Sequence, residues 1–341
     1  MIQRIIILCI VLTVFAVNLT AQNNTQINVL NAAGEVVYTY LEDTPDPDIK
    51  QLPREIANLR QRDDTNLFIN KLAEYINENS NSDYERIKKA HDWVALNIRY
   101  DAASYFSRRI PSQDYRSVIR RGLAVCAGYS DVFQILCDAL KIECKTISGY
   151  ARGIGSNIFY NEDPMDTNHA WNIVTIDGNK YIIDSTWDSG HINGQNFRAN
   201  YITDYLFINP ENFIYKHFPY NKADQLLEPP VDSESFMELP FLRPKFFKVM
   251  ETYPNLKKIT NLSQGEPFSM EFTVIPGYEL IYGWYTQSGA KVGNDIFPGR
   301  KDSYQITTSR LRPGRYTLRL WVQKQGSKGY LSCGEYGFII K

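Results

Sequence analysis

The hydrophobic period of this chain changes at about residue 141. From about residue 49 to there the apolar residues recur at helical spacing, and beyond it they alternate, so the sequence calls for helices first and sheet second rather than interleaved strand-helix-strand units. Residues 49 to 60 carry the weakest helical pattern. Asp64 to Asn79 sets Leu67, Ile69, Leu72, Tyr75 and Ile76 along one stripe, Asp83 to Tyr100 repeats the pattern, and Asp64 and Asp83 are expected N-caps. A polar loop from Asp101 to Arg121 leads into a fourth predicted helix from Ala124 to Lys141. Then ECKTISGYARG, HAWNIVTIDG and KYIIDSTWD each read as strands, the last two joined at a Gly178-Asn179 turn. Ahead of all this, INVLNAAGEVVYTY reads as two short strands around Ala33-Gly34.

From Phe207 to Phe247 the text is aromatic and broken by proline, which suggests an extended packed connector. Beyond it, short alternating strands such as PFSMEFTVI and RYTLRLWVQK are separated by Pro276-Gly277 and Pro313-Gly314 and read as an all-β sandwich. The expected layout is a signal segment over 1–21, an α+β unit over 22–228, a connector over 229–252 and a β-sandwich of immunoglobulin-like kind over 253–341.

With 341 residues, 43% hydrophobic, there is enough apolar material for two cores, which excludes wholesale disorder. The formal net charge is -1 and no Lys/Arg run exceeds two, so nothing in the linear sequence favours a nucleic-acid partner. At the N-terminus Arg4 precedes the apolar run Ile5 to Val17, with Ala21 placed for cleavage before Gln22. That run is too short to span a bilayer and reads as a secretory signal; Cys9, preceded by bulky Leu8, disfavours a lipid anchor. The mature protein is therefore expected to be secreted or periplasmic, with no stable membrane span after signal cleavage. Four cysteines remain beyond residue 21, too few for a disulfide scaffold, and no zinc-type spacing occurs, so no metal or other cofactor is expected. Cys137 and Cys144 flank a predicted helix-to-strand turn and are read either as a bridge or, for Cys137, as core.

Three residues carry the chemical signal. Cys126 falls in the first turn of a predicted helix, where unpaired N–H groups and the positive dipole end favour thiolate over thiol. His169 opens one predicted strand and Asp184 ends the next, so a short hairpin brings a carboxylate to the imidazole that would take the thiol proton. Single cysteines, histidines and aspartates are usually structural; it is the order and setting of the three together that point to a thiol nucleophile, its base and an orienting acid.

With these residues in view, GLAVCAGYSDVFQILCDALKIECKTISGYARG, HAWNIVTIDGNKYIIDSTWD and the upstream WVALNIRYD resemble the transglutaminase-like superfamily of papain-type cysteine enzymes. The nearest subgroup is bacterial proteins resembling kyphoscoliosis-type peptidases. The resemblance runs from about Tyr84 to Leu227 and includes PENFIYKHFP. It implies a papain-like core and acyl transfer through a thioester on Cys126, with His169 as base and acid and Asp184 as the orienting carboxylate. It departs at Lys141, where relatives commonly have Gly, and at Ser185-Thr186. The superfamily also holds transglutaminases, peptide N-glycanases and inactive members, so it implies chemistry better than substrate.

Around the triad, the Cys126 N–H is the expected oxyanion donor and Tyr100 a candidate for the second. Tyr129, Trp171 and Trp187 are candidate groove walls, with core packing the competing role for the tryptophans. His91 is expected on the surface or in helix packing, and His191 and His217 in loops. The expected reaction is hydrolysis of a peptide or amide bond in a protein or peptide substrate. Two alternatives stay open: a cross-linking transglutaminase, its calcium-dependent form weakened by the lack of a calcium-loop motif, and a silent scaffold whose sandwich binds a surface polysaccharide or protein.

Overall fold

The protein is described as a computed structural model covering residues 25–60, 64–153, 155–160, 162–296 and 303–341. The signal segment, with Arg4, Cys9 and Ala21, lies outside the described residues. Among those described, no helix is long and apolar enough to cross a membrane.

The N-terminal strands Gln26–Leu30 and Val36–Leu41 form an antiparallel hairpin. Pro53 splits the weak helical pattern that follows into Pro47–Lys50 and Arg54–Leu59. Thr65–Glu78 starts on an Asp64 cap, as its sequence predicts. The next helix, Asp83–Asn97, is capped by Ser82 rather than Asp83, because the Ser82 hydroxyl accepts the Glu85 N–H. The stretch from Asp101 to Arg121 is more ordered than a loop: it holds helices Ala102–Ser107 and Tyr115–Arg121, capped by Asp101 and Asp114.

The helix Cys126–Leu140 sits at the centre of this half, its Val132, Phe133, Leu136 and Cys137 buried against Trp93, Val94 and Ile183. Gly128 makes the approach possible, since a Cβ there would lie 2.7 Å from Gln113 Oε1 and 2.8 Å from Val118 Cγ2. The helix packs on a five-stranded antiparallel sheet ordered Leu206–Ile208, Asn179–Ile183, His169–Ile176, Glu143–Ala151, His217–Pro219. Ile176 pairs Asn179, so the hairpin turn is Asp177-Gly178, both at positive φ, one residue earlier than the sequence suggested. Gly149 is obligatory in the middle of this sheet: a Cβ would meet Trp171 Cη2 and the Phe218 carbonyl oxygen at 2.4 Å each.

The C-terminal half is a β-sandwich. One sheet orders Phe241–Leu242, Leu331–Ile340, Gly314–Lys324, Tyr278–Thr286 and Lys291–Ile296, with Ile259–Leu262 added parallel to Leu331–Ile340. The other holds Met250–Thr252, Ser269–Val274 and Ser303–Thr307. Alternation places Met270, Phe272 and Val274 inward on one strand and Leu318, Leu320 and Val322 inward on another. The connector contributes to this core, since Leu242, Phe246, Val249 and Met250 are buried in it. Arg152 ties the connector to the α+β half by donating to the carbonyl oxygens of Phe236 and Leu239 as well as to that of Tyr215.

Candidate active site

Cys126 is the first residue of its helix, and the preceding Val125 is extended, so the Cys126 N–H has no intrahelical carbonyl to bond. The approach is fixed from behind by Gln113, whose Oε1 accepts the Val125 N–H at 2.9 Å. His169 begins its strand opposite Gly149. Its Nε2 lies 2.6 Å from Asp184 Oδ2, which leaves Nδ1 as the nitrogen for the Cys126 thiol, and the thiol is close enough to the ring for the two to couple electrostatically. Asp184 follows its strand directly and caps the one-turn helix Ser185–Asp188, its Oδ1 accepting the N–H groups of Thr186 at 3.0 Å and Trp187 at 3.1 Å. The structure thus brings Cys126, His169 and Asp184 into one chain of contacts.

The electrostatics follow from that chain. Burial pushes the Cys126 thiol up, but the hydrogen bond and charge of His169 outweigh it, and the net shift is downward. Burial likewise lowers His169, yet the charge and hydrogen bond of Asp184, with the hydrogen bond from Cys126, carry it up to about 10. Asp184 is fully buried, a cost overcome chiefly by the charge and hydrogen bond of His169, and it sits well below the usual carboxylate range. Both shifts bias the pair toward thiolate and imidazolium.

The other expected site residues divide. Tyr100 pairs with Ala124 in a short parallel ladder, two residues before the nucleophile, and burial and then the Cys126 charge push its hydroxyl pKa up. Trp187 is half-buried, its ring 5.4 Å from that of His169. Tyr129 and Trp171 are each 1% exposed and do not line a groove. Tyr129 donates its hydroxyl to the Ile98 carbonyl at 2.6 Å, and Trp171 packs in the apolar cluster with Ile147, Ile182 and Phe213. Cys137 and Cys144 are both free thiols, and Cys137 is core.

Two features escaped the sequence. His217 lies on a strand and is fully buried, its ring stacked 3.9 Å from Phe213 and 4.3 Å from Trp187. Its Nε2 is 3.3 Å from Asp184 Oδ2, off the line of a regular hydrogen bond, and burial holds its pKa down at about 4, so it is neutral. His169, Asp184 and His217 are close enough together to suggest a metal. The 2.6 Å contact argues otherwise, because ligands about 2.0–2.2 Å from a tetrahedral ion stand more than about 3 Å apart. His91 is likewise not on the surface: it is buried, with Nδ1 3.2 Å from Asp92 and Nε2 3.0 Å from Asp188. Asp188 is the last residue of the same one-turn helix that Asp184 caps, so this pair anchors the far end of the turn. No local pattern marks either histidine, since both depend on partners about a hundred or thirty residues away. His191, in contrast, is exposed on the Gly190–Asn193 strand.

Residues 70–184 match the model of the transglutaminase-like superfamily, a span that contains all three aligned residues. This stretch is a transglutaminase-like domain. Over 272 residues the chain is 26% identical to mouse kyphoscoliosis peptidase and 27% identical to the human protein, covering 79% of this chain. It spans 40% of the length of those two relatives. A solved structure described as a TGase overlaps 42% of this chain and 35% of its own, at 24% identity and a TM-score of 0.29, too low to bear on the fold.

Proposed function

We propose that the protein is an exported thiol enzyme that breaks peptide or amide bonds through a thioester on Cys126. The observation that carries this reading is a helix-terminal thiol coupled to His169, whose other ring nitrogen lies 2.6 Å from a buried, doubly N–H-bonded Asp184. The Cys126 thiolate adds to the substrate carbonyl carbon, and the resulting oxyanion accepts the Cys126 N–H. Collapse expels the amine, which takes its proton from His169 Nδ1, and leaves the acyl group on sulfur. Water then attacks the thioester as His169 removes its proton; the acid leaves and the thiolate returns. Asp184 holds the ring so that Nδ1 faces sulfur throughout. A lysine amine in place of water would give an isopeptide cross-link by the same steps. The likeness to two proteins named peptidases supports water as the acceptor.

Iodoacetamide tests the first half. Cys126 should be alkylated at pH 6, where an ordinary thiol of pKa about 8.5 is almost wholly protonated, while buried Cys137 and Cys333 stay unmodified. Incubation with β-casein, with and without dansylcadaverine, then separates the acceptors: new peptide termini mark hydrolysis and dansyl incorporation marks transamidation. Alkylation of Cys126 with the pH-dependence of glutathione would end the enzyme reading. The export component is checked by the mature N-terminus, expected at Gln22.

A further inference from the structure

The chain is near neutral overall, yet residues 99–121 hold six arginines against two aspartates. The fold sorts them. Asp101 and Asp114 are engaged as helix caps, Asp101 half-buried and accepting the N–H of Ser104 at 3.0 Å and its hydroxyl at 2.7 Å, Asp114 exposed and accepting the N–H of Ser117 at 3.3 Å, and two acids do not offset six arginines. Arg99, Arg108, Arg109 and Arg116 are exposed. The strand Asn196–Ala199, whose Phe197 ring approaches Tyr100, adds exposed Arg198, and among the described residues Arg108, Arg109 and Arg198 form no ion pair.

Interleaved with this charge is a run of aromatic rings that begins at the nucleophile. Tyr100 lies beside the Cys126 turn; Tyr105 is 5.9 Å from it, Phe106 5.3 Å from Tyr105, and Phe197 6.4 Å from Tyr100. Tyr105 and Phe106 remain 36% and 38% exposed, and Ile110 49%. Large apolar groups left open on the segment that leads from the Cys126 turn, with exposed guanidinium groups in the same stretch, mark a recognition surface.

We propose that this wall docks an acidic polypeptide segment carrying an aromatic or bulky apolar side chain, delivering it to Cys126. The inference rests on the acyl-transfer reading above. Guanidinium forks match carboxylates in a bidentate way and stack on aromatic faces, so the arginines set the charge of the substrate and the rings hold its apolar side chain. A polypeptide is favoured over a nucleic acid because the surface ends on a thiol whose chemistry needs a carbonyl to attack.

Fluorescence anisotropy on full-length Cys126→Ala protein separates docking from turnover. Three fluorescein-labelled hexapeptides serve as probes: one with Phe-Ala between two Glu-Glu pairs, one with Phe-Ala between two Lys-Lys pairs, and one with Ala-Ala between two Glu-Glu pairs. A dT12 oligonucleotide is the fourth. The acidic Phe peptide should bind at least tenfold more tightly than the lysine peptide and severalfold more tightly than the Ala-Ala one. The Arg108→Glu/Arg109→Glu variant, altered only at exposed positions, should lose that preference, and raising salt from 50 to 500 mM should weaken acidic-peptide binding about tenfold or more. Equal affinity for acidic and lysine peptides, or tighter binding of dT12 than of any peptide, would overturn the proposal. Failure here with rapid pH 6 alkylation of wild-type Cys126 refutes the docking surface alone; sluggish alkylation refutes the thiol-enzyme reading instead.

Discussion

One short helix, Ser185–Asp188, carries a histidine–aspartate pair at each end, and the two pairs do different things. At its start Asp184 meets His169; at its finish Asp188 meets His91. Both carboxylates are buried and both imidazoles touch one at 3.0 Å or less. The difference is in the second ring nitrogen. His91 spends it on Asp92, so both its nitrogens face carboxylates and no proton has anywhere to go. His169 leaves it for a thiol at a helix N-terminus. The charges follow suit: Asp184, with two backbone N–H donors, sits well below the usual carboxylate range, whereas burial pushes Asp188 up to about 7. On the proposed reading, a His–Asp pair becomes catalytic through its neighbour, and without one it is a structural clamp.

The largest expected effect breaks the pair at the thiol. His169→Ala should lower kcat/KM about 10⁴-fold, or ~5.5 kcal/mol of transition-state stabilisation, and should abolish low-pH alkylation. The pH profile sharpens the contrast. In wild type, peptide cleavage should fall as pH rises through about 10, because His169 then loses the proton it must give the leaving amine. Alkylation, which needs only thiolate, should persist above that pH. A loss of cleavage centred near pH 7 instead would follow Asp188 and reassign the controlling group.

Next comes the clamp. His91→Ala leaves Asp188 buried without its cationic partner, at an expected cost of about 3–5 kcal/mol in urea unfolding. Asp92 keeps Lys88 and the Tyr201 hydroxyl, so the loss belongs mainly to the Asp188 end. A change under about 1 kcal/mol would mean that the two pairs do not differ in the way claimed.

His217 tests what holds Asp184 in place. His217→Phe preserves the stack on Phe213 and removes the imidazole whose Nε2 lies 3.3 Å from Asp184 Oδ2. Without that polar neighbour the carboxylate is freer to turn from His169, and pH 6 alkylation of Cys126 should slow severalfold. The melting temperature should hold or rise, since a buried polar ring becomes apolar. A drop in stability with unchanged alkylation would make His217 a packing residue only.

How much of this was legible depends on distance along the chain. Helix-to-strand order, the settings of Cys126, His169 and Asp184, and the inward faces of Met270 to Val274 follow from local period and capping. What failed was non-local. Tyr129 looked like a groove residue because it follows Cys126 closely, yet the helix turns it inward to Ile98 and Ser189. His217 looked like loop because its strand, His217–Pro219, is three residues long and exists only by pairing with Glu143–Ala151. His91 looked ordinary because its partner, Asp188, is 97 positions away. The arginine-rich wall was hidden for a different reason: no run of basic residues is long, and the arginines of residues 99–121 gather on one surface, joined by Arg198, only when the chain folds.

The smallest expected effect lies at the far end of the nucleophile helix and serves as the control for the rest. Lys141 is the residue after Leu140 and sits at φ 65°, the left-handed position that closes many helices and that glycine occupies without a Cβ clash. Its side chain is exposed, so the ammonium contributes little there. Holding a lysine in that conformation costs roughly 1 kcal/mol relative to glycine, partly offset by the greater freedom glycine has in the unfolded chain. Lys141→Gly should therefore stabilise the protein by up to about 1 kcal/mol in urea unfolding while leaving pH 6 alkylation of Cys126 unchanged. Because the substitution is some fifteen helical residues from the thiol, a change in alkylation would mean that the helix end transmits to its start. That result would undo the assignment of reactivity to the first turn and its His–Asp neighbour alone.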